Sequence, residues 1–131
     1  MHDSIFTKII KGDIPSHKIY EDDKTLAFMD IHPVNEGHVL VIPKTQVEFV
    51  WELPGDDYSA LMTTVQKIMR RQKEVLGCPY VSMRTIGVDV PHAHVHLIPF
   101  TSVSDLNNAP DMSADPDHAT LATIAEKLRF S

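Results

Sequence analysis

The sequence predicts an α+β fold built on one antiparallel sheet, and three features lead there. Short apolar runs of strand period follow one another with only turn signals between them. One longer segment carries helical periodicity instead. The strands come in runs flanked by helices, whereas alternating βαβ units would build a parallel sheet. At 131 residues the chain is sized for one domain with a real core. Its 43% hydrophobic and 23% charged residues are ordinary for a globular protein.

Taken in order, Ser4 is placed to cap a short opening helix that Gly12 ends. Residues 18–21 and 25–30 read as strands joined by the polar turn Asp22-Asp23-Lys24, and residues 39–42 as a buried strand. Pro54-Gly55-Asp56 breaks the chain before a long helix over residues 57–76. Its Leu61, Met62, Val65, Ile68, Met69 and Leu76 follow helical spacing, and Arg70, Arg71 and Lys73 fall in its C-terminal part, favourably for the helix dipole. That stripe reads as core or subunit contact. Residues 80–86 and 90–99 complete a set of five strands. Residues 101–114, with Asn107-Asn108, Pro110 and scattered aspartates, read as an irregular loop. Asp115 then caps a last helix with Pro116 at its first position, and Leu121, Ile124, Ala125 and Leu128 give that helix one apolar face. The expected division is a domain over residues 4–106 and a C-terminal loop and helix over residues 107–131, packed on it or extending from it.

Bulk chemistry excludes several function classes. The lone cysteine, Cys78, rules out an internal disulfide framework or a cysteine-rich zinc site. A net charge of −6 argues against a long nucleic acid as partner, though a small nucleotide needs only local donors. The sequence carries neither a signal peptide nor an apolar run of membrane-spanning length, so no membrane partner is expected and the cytoplasm is the expected compartment.

The chemistry concentrates in Val90-Pro91-His92-Ala93-His94-Val95-His96-Leu97-Ile98-Pro99. Read as a strand, this run sets His92, His94 and His96 on one face and Ala93, Val95 and Leu97 on the other. Such a row can bind a metal, bind phosphate or attack phosphorus. At about 3.3 Å rise per residue, His92 and His96 lie roughly 13 Å apart at Cα, too far for all three to hold one ion. A row of separate imidazoles instead suits a groove for an extended polyanion. A neutral imidazole is nucleophilic near physiological pH, and its second nitrogen is a donor that can be oriented. Only His94 would have an imidazole on both sides.

His92-Ala93-His94-Val95-His96-Leu97-Ile98 resembles the signature of the histidine triad (HIT) family, in which histidines alternate with hydrophobic residues. The resemblance extends upstream, through Ser4–Ile10 with Gly12-Asp13-Ile14-Pro15, Tyr20–Asp23, Ala27–Pro33 and Gly37–Lys44, and so covers residues 4 to 100. It implies the HIT-like sheet of about five strands with a short N-terminal, a long and a C-terminal helix. It also implies a homodimer, in keeping with the long helix's stripe, and a small nucleotide as substrate. The implied activity is hydrolysis of a nucleoside 5′-phosphoramidate or related nucleotidyl bond through a covalent nucleotidyl-histidine, with no cofactor. By position His94 is the nucleophile, His92 orients it through its main-chain carbonyl, His96 contacts phosphate, and His38 is a fourth histidine near the phosphates. Asp30 would accept the ribose hydroxyls, and Phe6, Ile9, Phe28 and Ile31 would line the base pocket.

The chain also departs from the family pattern. Many relatives build a structural zinc site from Cys-x-x-Cys in the opening helix and a histidine after Pro-Lys. Ser4, Thr7 and Gln46 stand at those positions here, so no such zinc is expected. Before the triad, Val88 replaces a glutamine that helps position the leaving group or water, and Asp89 replaces a hydroxyl residue near the phosphates. Three other readings follow: a dinucleoside polyphosphate hydrolase, a nucleotide-binding protein with vestigial catalysis, or a metal-binding module using His94, His96 and His38.

Overall fold

The computed structural model of the chain describes residues 2–130. Five strands form a single antiparallel sheet in the order β1-β2-β3-β5-β4, with β1 at Lys18–Glu21, β2 at Thr25–Met29, β3 at Val39–Pro43, β4 at Tyr80–Arg84 and β5 at Val95–Phe100. Three helices accompany them: α1 at Ile5–Ile10, α2 at Gly55–Leu76 and α3 at His118–Leu128. The expected α+β class and strand count are those observed. No helix among the described residues is long and apolar enough to cross a membrane.

Strand alternation divides the apolar residues between two clusters. Ala27, Met29, Val39, Val41, Val95 and Leu97 face α2 and α3 and pack with Leu61, Val65, Ile68, Leu121, Ile124 and Leu128. Leu26, Phe28, Leu40 and Ile42 face the other way and are covered by Phe6 and Ile9 of α1. The central strands β2 and β3 are therefore buried on both faces. Short α1 is held by its Ser4 cap, whose Oγ accepts from the Thr7 amide at 2.9 Å.

Several boundaries differ from expectation, each for a local reason. Helix α2 starts two residues earlier, because the Pro54 carbonyl already accepts from the Tyr58 amide at 2.9 Å. Strand β4 stops at Arg84 instead of residue 86, and β2 stops before Asp30. The cap of α3 is Asp117, not Asp115, and Pro116 precedes the helix; the Asp117 carboxylate accepts from the Thr120 amide at 3.1 Å. Within the segment read as irregular loop, Val103–Asn107 forms a 3-10 turn. The largest change is in β5, which begins at Val95 rather than residue 90. Pro43 ends β3 without a donor, and the Ala93 amide turns away to the Val47 carbonyl at 2.7 Å. His92 and His94 therefore lie just before the strand.

Two contacts seat α2 on the sheet. Fully buried Gln72 donates from Nε2 to the carbonyls of Gly37 at 2.9 Å and Leu97 at 3.1 Å. Gly37 has φ +88°, and a Cβ there would strike Leu76, so only glycine lets the helix come this close. We expect Gln72→Ala to leave two buried carbonyls unpaired and to lower stability by about 2 kcal/mol, measured by urea unfolding.

Candidate active site

The break before β5 sets the site's geometry. The His92 ring points into the protein, fully buried, against expectation: the three imidazoles do not share one face. Its Nε2 lies 2.8 Å from the Pro43 carbonyl, which can only accept, so Nε2 carries the proton. Nδ1 then accepts from Ser4 Oγ at 2.7 Å. The cluster continues around α1, where Thr7 Oγ1 donates to Gln46 Oε1 at 2.5 Å and the Ser4 amide donates to the same oxygen at 2.9 Å. The residues at the family's zinc positions thus gather beside His92, but two hydroxyls and an amide that bond one another are not a zinc donor set.

The His92 main-chain oxygen accepts from His94 Nδ1 at 2.7 Å. That fixes the His94 proton on Nδ1 and leaves the Nε2 lone pair free. Its ring neighbours are Phe6 and His96, each at a centroid distance of 5.0 Å and edge-on. The expected imidazole on its other side is absent, because His92 has turned inward and Phe6 takes the place. His94 is 4% exposed, so little of its ring meets solvent. Thr85 Oγ1 donates to the His94 carbonyl at 2.7 Å and holds the backbone from the β4 side.

A second chain of bonds fixes the other two histidines. The Val34 amide donates to His38 Nδ1 at 3.1 Å, so His38 carries its proton on Nε2 and donates to His96 Nδ1 at 3.0 Å. His96 is left with Nε2–H as a free donor. Burial is the main cause that lowers His38 to about 3 and His96 to about 4; the neighbouring His96 pushes His38 down further, and His94 does the same to His96. Both rings are neutral at neutral pH.

Asp30 lies one residue beyond β2, with Oδ1 accepting from the His32 amide at 2.8 Å and Oδ2 3.5 Å from His38 Nε2. Burial raises its carboxyl above the ordinary value, against the pull of that amide. Asp30, His38 and His96 each bring one ligand atom within 4.8 Å of the others. A divalent ion could collect them only by breaking the His38–His96 hydrogen bond.

Of the residues expected around the base, Phe6, Ile9 and Phe28 lie together in the cluster under α1, with Phe6 and Phe28 edge-on at 5.6 Å. Ile31 stands apart and is 42% exposed. Asp89 is exposed in the loop before the triad, where its charge is felt by His96. Val88 is 81% exposed. Sequence reasoning missed Arg84, which pairs directly with His96 across β4 and β5. The signal was there in principle, since an arginine in the strand preceding the triad lies within one register choice of it.

Residues 11–103 match the family model described as HIT domain. A Bacillus subtilis relative named Protein hit is 42% identical, over 97% of this chain and 95% of its own length. Adenosine 5′-monophosphoramidase HNT1 of Candida albicans is 38% identical, over 72% of this chain and 68% of its own. A Hit-like protein of Bartonella henselae, known by crystal structure, superposes with a TM-score of 0.83 at 30% identity, covering 97% of this chain and 95% of that one. The chain belongs to the histidine triad family.

The neutral His38–His96 pair has a consequence for pH dependence. Both imidazoles titrate near 6.5 when unfolded and far lower when folded, so below pH 6.5 the unfolded state binds more protons. Their contribution is complete above pH 6.5 and is lost as pH falls toward 4 and then 3. Between pH 6.5 and 5 we expect Tm to fall, with at most about 1.4 kcal/mol lost per pH unit for each imidazole. A His38→Gln, His96→Gln double variant should show a shallower slope in the same thermal scans.

Proposed function

We propose that this protein hydrolyses a nucleoside 5′-phosphoramidate or a related nucleotidyl bond, with His94 as the nucleophile. The observation that carries this reading is the hydrogen bond from His94 Nδ1 to the His92 carbonyl, which leaves Nε2 unprotonated and aimed. The similarity to a relative named as an adenosine 5′-monophosphoramidase supports the substrate class.

In this reading the base lies by Phe6, Phe28 and Ile9, without the separate Ile31, and the ribose hydroxyls donate to Asp30. The His94 Nε2 lone pair attacks phosphorus, the phosphorus–nitrogen bond of the substrate breaks, and the departing amine takes a proton from solvent. The ring becomes an imidazolium whose Nδ1–H is held by the His92 carbonyl, while His96 Nε2–H donates to a phosphoryl oxygen. Water then adds to phosphorus and loses a proton, the bond to His94 breaks, and the nucleoside monophosphate leaves. His38 keeps the His96 donor facing the phosphate. Asp89 stands at the phosphate end, in the loop before the triad.

His94→Ala should keep the wild-type fold by circular dichroism and lose turnover by roughly 10⁴-fold or more. Mass spectrometry of a quenched reaction should find a nucleotidyl adduct on the wild type alone. Equal rates for the two proteins would overturn the assignment.

We also propose that the working unit is a homodimer. Strand β4 is a sheet edge, and Met83 on it is exposed beside Tyr58, Met62 and Met69 of α2. A second copy laid along this edge would cover that apolar surface. Light scattering should return twice the chain mass for the wild type and a shift toward monomer for Met83→Asp.

A further inference from the structure

Among the described residues, Arg84 is the one cation that the fold sets among the site's histidines. It sits opposite His96 in the β4–β5 register, and directly opposed residues share a face of the sheet. Among the described residues its guanidinium makes no hydrogen bond and no ion pair, and its Nε is buried without a partner. Asp89, the acidic residue of the neighbouring loop, does not close an ion pair with it. Folded proteins rarely leave a buried donor unmet, and a guanidinium keeps its charge at any working pH. Its charge reaches both His38 and His96 and disfavours their protonation. An anionic group brought by a ligand would supply the partner this donor lacks.

Strand order says which part of a ligand that is. Across the sheet, Asp30 follows β2, His38 precedes β3, His96 is on β5 and Arg84 on β4. A nucleotide with its ribose at Asp30 and its phosphate at His96 directs whatever lies beyond that phosphate toward β4. We propose that Arg84 is a specificity residue that binds an anionic group on the leaving side of the scissile bond, so that the preferred substrates carry a carboxylate or phosphate there. This rests on the hydrolase reading given above. A planar guanidinium fork fits either anion by two parallel hydrogen bonds.

The test compares AMP joined through nitrogen to glycine with AMP joined to glycinamide, which differ in charge and hardly in shape. Diadenosine triphosphate supplies the phosphate arm. The wild type should favour the glycine adduct, the triphosphate or both over the glycinamide adduct, and the faster of the two anionic substrates identifies the natural anion. Arg84→Gln should lower that preference ratio in kcat/KM by about 10- to 100-fold, the loss expected for a charged hydrogen bond. Arg84→Lys, which keeps the charge without the fork, should retain part of it. A wild type that turns over charged and neutral substrates alike overturns the proposal and leaves the hydrolase reading standing. An unchanged ratio in both Arg84 variants does the same. A wild type that turns over none of the three substrates overturns the hydrolase reading itself.

Discussion

The site depends on one hydrogen bond, from the His94 ring to the carbonyl two residues before it. An imidazole in water exchanges its proton between two nitrogens and turns freely about two bonds. Here one nitrogen is committed to a backbone oxygen, so the tautomer and the direction of the other nitrogen are decided together. The backbone that supplies this oxygen is itself fixed from both sides. The His92 ring is pinned between the Pro43 carbonyl and Ser4, and the Thr85 hydroxyl holds the next carbonyl but one. Positioning of this kind is completed before any ligand arrives, so no rotation or proton shift is needed to present the free nitrogen.

The same reasoning explains why four histidines in one site do not behave alike. His92 is a buried strut that touches no ligand face, and His38 and His96 are a neutral pair with a fixed proton direction. Their neutrality has a structural cause, since the pair is desolvated and already crowded by like charge. The ring left with a free lone pair is His94, whose Nδ1–H is committed to a main-chain oxygen. Alternation alone would set the three triad imidazoles on one face; their hydrogen-bond partners separate them.

Much of the architecture was legible in the sequence, because periodicity reports which face of an element is buried. The five strands, the long helix and the Ser4 cap all follow from alternation, helical spacing and capping chemistry. What was hidden depends on contacts between distant residues. The inward turn of His92 needs Pro43 to end a strand and Ser4 to wait across the chain, and neither is visible in a local run of alternating histidines. Asp115 followed by Pro116 has the chemistry of a cap, yet the helix is capped two residues later, by Asp117. Arg84 became visible only once β4 and β5 had a register, since a shift of one residue would have turned it to the other face.

The polar knot between Ser4, Thr7, Gln46 and His92 bears on how the molecule comes into being. Ser4 and His92 are separated by 88 positions along the polypeptide. During synthesis the amino-terminal turn emerges first and must wait, unattached, until most of the chain has left the ribosome. Closing so wide a loop is slow compared with forming a hairpin or a helix. The His92 ring, and with it the carbonyl that orients His94, is therefore fixed among the last events of folding.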